Sequence, residues 1–220
     1  MAFDKNNFSY ASLEFAAQVD DGAARFLRRL ECDSYDKFAA MLYIDLEQTI
    51  SLIEKNASLH QKDGEDRLSI EIINILTGFG FIARHDEFIN GHSDIVVTYK
   101  KFMWIGEAKI HSTYDYLMEG FVQLCDRYSI GNEDDCEGGL LFYVKGNNTL
   151  NVVEKWKETL LASKIHGLTV TQCNTRSYLS FYSVHKHPKS GLPYKVRHIG
   201  VILGFEPKDK SARQSKKGQN

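Results

Sequence analysis

The stretch "GHSDIVVTYKKFMWIGEAKIH" (residues 91–111) decides how the chain is read. Two runs inside it, 94–98 and 102–110, are rich in β-branched and aromatic residues and read as strands. Asp94, Glu107 and Lys109 nevertheless lie within them, where burial of charge is costly. Side chains alternate along a strand, so Glu107 and Lys109 face one side. A hairpin turning at Lys100–Lys101 sets Asp94 opposite Glu107, with Cβ atoms roughly 5 Å apart. Two carboxylates so placed repel unless a cation sits between them or one takes a proton. Oxygen-only ligands suit Mg2+, with Mn2+ as its substitute, because such an ion keeps several waters and needs only one or two carboxylates beside a substrate phosphate. Lys109 would lie one pleat away, able to orient or help deprotonate the attacking water and to offset phosphate charge. That is chemistry for phosphodiester hydrolysis. The competing reading is a structural cross-strand salt bridge from Lys109 to Glu107 or Asp94.

Outward from this segment, strands alternate with helices. Residues 9–58 carry Phe38, Met41, Leu42, Ile44, Leu46, Ile50 and Ile53 near helical spacing, interrupted near 20–22 and 32–34. The stretch 61–66 reads as a linker with Asp63 as a helix cap. The next helix carries Leu68, Ile72, Ile75, Leu76 and Phe79 as one stripe and ends at Gly78 and Gly80. A strand is expected over 81–88, ahead of the two strands above. A helix over 115–129 follows, then an acidic loop, a strand over 140–145, a helix over 152–162 and a closing hairpin with strands 178–185 and 194–205. This order predicts an α/β fold, a mixed sheet covered by helices.

At 220 residues and 43% hydrophobic, the chain is long enough for one good core. No run of eighteen apolar residues is present and the start lacks the pattern of a signal peptide, so a cytoplasmic protein without a membrane span is expected. Cys32, Cys125, Cys136 and Cys173 are widely spaced and form no C-x-x-C pair, which predicts free thiols. The net charge of −2 excludes a globally basic nucleic-acid binder but leaves room for a local positive cleft. The expected division is a helical extension over 1–60, serving as a partner or dimer surface or as a lid, a main domain over 61–207 and a basic disordered tail over 208–220. No phosphate-binding loop, dinucleotide fingerprint or nucleophile elbow is found, so any ATPase or sensor would be a separate chain.

The order helix, three strands, helix, strand over about residues 63–165, with Ser93-Asp94 followed by Glu107-Ala108-Lys109, resembles the PD-(D/E)XK or restriction-endonuclease-like nuclease superfamily. Serine stands where that family commonly has proline, which supplies no ligand atom. The longer pattern "NGHSDIVV…WIGEAKI…EGFVQLCDRYS" is similar to bacterial proteins of the restriction or phage-defence kind. The resemblance implies a metal-dependent nuclease, with DNA as the expected substrate. Asp94 and Glu107 would ligate the ion and Lys109 would act on water. Cleavage of two strands by one site per chain calls for a homodimer. A fold retained for binding DNA or a protein partner without chemistry, and an RNase effector on the same scaffold, are the alternatives.

Further site residues follow from the same resemblance and from helical phase. The superfamily often adds a glutamate from its first helix. Glu65 lies roughly 40° from the centre of the apolar stripe and Glu71 roughly 80° away, which favours Glu65 as a further ligand. Gly120, Gln123 and Arg127 share a helix face at spacings of three and four. Gly120 allows a close approach. Gln123 is the residue type the family commonly has in this helix, and Arg127 could reach phosphate. His185, Lys186, His187, Lys189, Lys195, Arg197 and His198 concentrate around the last hairpin. His187, Lys195 and Arg197 are therefore candidates for holding a nucleic-acid backbone. His185 and His187 share a face as zinc ligands can, but no third ligand is evident.

Overall fold

The computed structural model describes residues 9–85, 87–88 and 91–207. The N-terminal part folds as α1 (Tyr10–Ala17), α2 (Asp21–Leu30) and α3 (Tyr35–Lys55), with breaks where the sequence predicts them. Each helix starts on a side-chain cap, and Asp20 Oδ1 accepts the Ala23 N–H at 2.7 Å. The fourth helix, α4 (Glu65–Gly78), has Gly64 at its N-cap position and no side-chain cap. Asp63, expected to cap it, instead pairs with His60 at 2.8 Å.

Then follow β1 (Ile82–Arg84), β2 (Glu87–Phe88), β3 (His92–Ser93), β4 (Ile95–Tyr99), β5 (Phe102–Ile110) and α5 (Tyr114–Val122). A π-helical turn over Gln123–Tyr128 continues α5. The chain closes with β6 (Glu137–Val144), α6 (Thr149–Ala162), β7 (Thr169–Gln172), β8 (Ser180–Lys186) and β9 (Pro193–Ile202). Seven strands form one sheet in the order β1-β4-β5-β6-β9-β8-β7, and β2 and β3 form a separate two-stranded ribbon. The pairs β5–β6 and β6–β9 are parallel, and the other pairs of the main sheet are antiparallel. The molecule is thus a mixed α/β fold with helices flanking a mixed sheet.

One sheet face carries Trp104, Leu141, Tyr143 and Ile199 against Phe38, Leu42 and Ile50 of α3 and Ile72 of α4. The other carries Ile105, Leu140, Phe142 and Val196 against Leu117 and Phe121 of α5 and Trp156 of α6. β6 is buried along its whole length because both faces are covered, which explains its unbroken apolar run.

The structure corrects four expectations. The strand over 81–88 stops at Arg84, and the chain resumes in the short β2–β3 ribbon. α3 packs into the same core as α4 and the sheet, so residues 35–55 are an integral layer and not an appendage. The closing hairpin forms as β8 and β9, but the sheet extends past it, since β7, a strand not expected, pairs with β8 while β9 joins β6 in parallel. The helix over 115–129 changes to π geometry at Gln123. The tail over 208–220 lies outside the described residues. No helix among the described residues is long and apolar enough to cross a membrane.

Candidate metal-dependent catalytic site

The site arises because β5 outruns β4. Tyr99 faces Phe102 and Ile95 faces Gly106, so the hairpin register is the one that sets Asp94 against Glu107. β4 starts at Ile95, so among the described residues no strand pairs with Glu107–Ile110 on that edge, while their other edge pairs with β6 as far as Ile110 opposite Tyr143. A free strand edge leaves N–H donors that need acceptors. Carboxylates supply them. Asp94 Oδ2 accepts the Ala108 N–H at 2.8 Å, and Glu65 Oε1 accepts the Ile110 N–H at 2.6 Å.

Glu65 reaches this edge because the turn before α4 is pinned from below. Lys145, just past β6, donates to the carbonyls of Gln61 and Asp63 at 3.1 and 2.6 Å. Gln61 in turn donates to the Leu203 carbonyl at 2.6 Å. Glu71, the rival glutamate, lies further along α4 and makes an exposed pair with Arg67 at 3.9 Å.

Glu107 and Lys109 project towards α5. Glu107 is 1% exposed and Lys109 8%. Lys109 Nζ donates to Glu107 Oε1 at 2.5 Å. Its stem passes Gly120, where a Cβ would come within 2.9 Å of Lys109 Cγ and 3.0 Å of Cε. Gly120 therefore admits the lysine side chain, where the sequence suggested only a close approach. The ammonium lies 5.4 Å from the centre of the Tyr116 ring. The Tyr116 hydroxyl sits 2.9 and 3.1 Å from the two oxygens of Glu65.

Three carboxylates thus act on one another at this edge, with Lys109 bonded to Glu107. Burial first, and then the charge of Asp94, push the Glu107 carboxyl up to about 8, although Lys109 pulls the other way. Burial also raises Asp94, against the opposing hydrogen bond from Ala108 and the charge of Lys109. Burial pulls the Lys109 ammonium down, but the charge and hydrogen bond of Glu107, helped by Asp94, outweigh it and leave its pKa above the usual lysine value. Glu107 Oε2 is buried and has no hydrogen-bond partner among the described residues.

Among the described residues, no group of three or more His, Cys, Asp and Glu is arranged to hold a metal. A closed zinc-type cage is thus not formed, and His185 and His187 do not make one. Two carboxylates with oxygen-only chemistry and an unpaired buried oxygen do fit a hard divalent ion that retains its waters. The residues that could hold one are Asp94 and Glu107, with the charge of Glu65 alongside. Both Glu65 oxygens are already engaged by Tyr116, and Oε1 also by Ile110.

The other sequence candidates separate from this group. Gln123 opens the π turn half-buried, with Oε1 unpartnered, and makes no hydrogen bond to Lys109. Arg127 is exposed and lies against Gly91, whose Cβ would fall 2.6 Å from Arg127 Nε. Lys195 pairs with Glu137 and lies 5.0 Å from the Tyr182 ring. Arg197 is fully buried and bonds Glu47 Oε1 at 2.5 Å and Ser180 Oγ at 3.3 Å. Both face the α3 side of the sheet, opposite Lys109. His187 is buried too. Its Nδ1 accepts the N–H groups of Lys189 and Ser190 at 3.3 and 3.2 Å, so Nε2 carries the proton towards Ser129 Oγ at 2.9 Å. A backbone-gripping hairpin built on Arg197 and His187 is therefore replaced by interior contacts.

Tyr116 and Lys145 did not emerge from the sequence reading. The spacing that picked out Gly120, Gln123 and Arg127 reaches Tyr116 one turn earlier, four residues before Gly120. Comparison with protein-family models, with curated proteins and with solved structures gives no match.

Proposed function

We propose that the chain is a Mg2+-dependent nuclease, with its site at the open end of β5. The observation that carries this reading is the excess of carboxyl groups over cations there, with Glu107 buried among them. Lys109 bonds Glu107, while Asp94 and Glu65 both act on the Glu107 carboxyl and one Glu107 oxygen is left unpaired. The order α4, β1, β4, β5, α5, β6, with the short β2–β3 ribbon inserted, agrees with the core that the nuclease resemblance implies.

Asp94 and Glu107 would hold the ion, which supplies Lewis acidity towards a phosphate oxygen and lowers the pKa of a bound water. Glu107 would hold it after giving up the proton that burial and Asp94 favour. Lys109 has a raised pKa and stays an ammonium. That makes it a donor that orients water or neutralises charge building on phosphate, and disfavours it as the general base. Ala108 and Ile110 fix Asp94 and Glu65 through their N–H groups, so the carboxylates are positioned before substrate arrives. DNA as substrate, a homodimer and a place in bacterial restriction or anti-phage defence rest on the resemblance.

The 2.5 Å Lys109–Glu107 contact favours a second reading, a binding module in which that pair is a structural ion bridge. Incubation with plasmid, linear DNA and RNA under Mg2+, Mn2+ or chelator separates the two. The nuclease reading expects metal-dependent cleavage, reduced roughly a hundred- to ten-thousandfold by Lys109→Ala. Binding without cleavage by the wild type under every condition supports the binding module. Cleavage of RNA alone makes the protein an RNase.

A further inference from the structure

We infer that Tyr116 is a positioning residue of this site, one that holds Glu65 in place for the divalent ion and keeps it apart from Lys109. The inference rests on the reading of Asp94 and Glu107 as ion ligands and adds a residue with its own role. Thr113 caps α5 by accepting the Tyr116 N–H at 3.2 Å, which fixes where the tyrosine leaves the helix. From there its two ends do different work. The hydroxyl carries one proton and lies within 3.1 Å of both Glu65 oxygens, so it makes a charge-assisted bond to that carboxylate. The ring presents its face to the Lys109 ammonium at 5.4 Å, a favourable cation–π distance.

The consequence lies in how the ammonium divides itself. Lys109 has its salt bridge to Glu107, and the Tyr116 ring beside it carries Glu65 on its hydroxyl. With its hydroxyl on Glu65 and its ring beside Lys109, Tyr116 acts as a partition between them. Without the hydroxyl, Glu65 keeps only the Ile110 N–H and is free to turn towards Lys109. A Glu65–Lys109 bridge would neutralise the negative charge on which the ion depends. Outer partners of this kind typically change metal affinity by roughly ten- to a hundredfold when removed.

The test is a calorimetric titration of Mn2+ into metal-free protein for wild type, Tyr116→Phe, Glu65→Gln and the double variant, with single-turnover DNA cleavage measured on the same samples. Tyr116→Phe keeps the ring, and a melt of each variant checks the fold. Tyr116→Leu, which removes ring and hydroxyl together, is run as the second variant. The expected result is a roughly ten- to hundredfold loss of affinity in Tyr116→Phe, with the double variant no weaker than Glu65→Gln alone. Wild-type affinity in both Tyr116→Phe and Tyr116→Leu overturns the inference. So do losses that multiply in the double variant, or a wild type that takes up no Mn2+. Loss of affinity as expected in a protein that cleaves no nucleic acid leaves Tyr116 in place and removes only the nuclease reading. Metal-dependent cleavage with affinity unmoved by either Tyr116 variant removes only Tyr116.

Discussion

Two regions of this molecule bury several charges each, and they do it in opposite ways. On the α3 side of the sheet, Arg197 and Arg176 meet Glu47 and Glu54. Arg176 bonds Glu54 through two nitrogens at 2.7 and 2.9 Å and Glu47 at 3.0 Å, while Arg197 bonds Glu47 at 2.5 Å. Two cations face two anions, and the remaining guanidinium surface of Arg197 lies 4.8 Å from the Tyr43 ring. At the open end of β5, Glu107, Asp94 and Glu65 lie near one another with one ammonium, Lys109, bonded to Glu107. The first set is balanced in charge, as a structural network must be to offset desolvation, although Arg197 Nη1 has no hydrogen-bond partner among the described residues. The second is unbalanced, and its imbalance shows in the Glu107 carboxyl pushed up to about 8. Buried charge alone does not mark a site. The proposed ion site rests on the second kind, charge without enough counter-charge.

The contrast makes predictions that differ in sign. Arg197→Met should destabilise by about 3–5 kcal/mol, because it takes one cation from the balanced set and leaves Glu47 and Glu54 to share Arg176. Glu107→Gln in metal-free protein at pH 8.5 should leave stability unchanged or raise it, because it removes repulsion from Asp94. Urea unfolding of both variants checks this. A large loss in Glu107→Gln would make the two regions alike and the β5 end a structural network.

The pH dependence follows from the same carboxyl. Its pKa rises from 4.5 to about 8 on folding, so the folded state binds that proton more tightly. Its contribution to stability is therefore full at low pH and is lost as pH rises through about 8. A bound ion must displace the proton. Mn2+ affinity should therefore rise roughly tenfold per pH unit from pH 6, about a hundredfold in all, and flatten above pH 8. Calorimetry at several pH values measures the slope. A flat profile would mean that Glu107 is already ionised.

Smaller effects sharpen the boundary of the site. Gly120→Ala places a methyl 2.9 Å from Lys109 Cγ and 3.3 Å from Leu140 Cδ1. It should cost about 1–3 kcal/mol in a thermal melt, since β5 and α5 must separate, and displace Lys109. Glu71→Ala removes an exposed pair and should stay within about 0.5 kcal/mol of wild type, with Mn2+ affinity unchanged. An effect of Glu71→Ala on the ion would reverse the choice between the two glutamates of α4.

What the sequence disclosed followed local rules. Strand alternation and a two-residue turn gave the β4–β5 register, and that register alone brought Asp94 to Glu107. Helical phase put Glu65 nearer the sheet than Glu71, and Glu65 does reach the β5 edge. What stayed hidden depended on partners far along the chain. Arg197 looks like a surface cation among basic neighbours, and nothing near it announces Glu47, 150 residues away. His187 lies in a stretch that reads as an exposed turn, yet Ser129 and the backbone of Lys189 and Ser190 enclose it. β7 is four residues long, pairs on one side only and carries mostly exposed side chains, so its pattern resembles a loop. α3 is amphipathic in the manner of any surface helix, and only the packed sheet shows that its apolar stripe closes the main core.

The central claim is that the surplus of carboxylates at the end of β5 is a divalent-ion site. Crystals soaked in Mn2+ and measured at the manganese absorption edge test it most directly. The account predicts an anomalous peak bound by Glu107 and Asp94, absent in Glu107→Gln. Crystals saturated with Mn2+ that show no peak there, or a peak only beside His185 and His187, would contradict it.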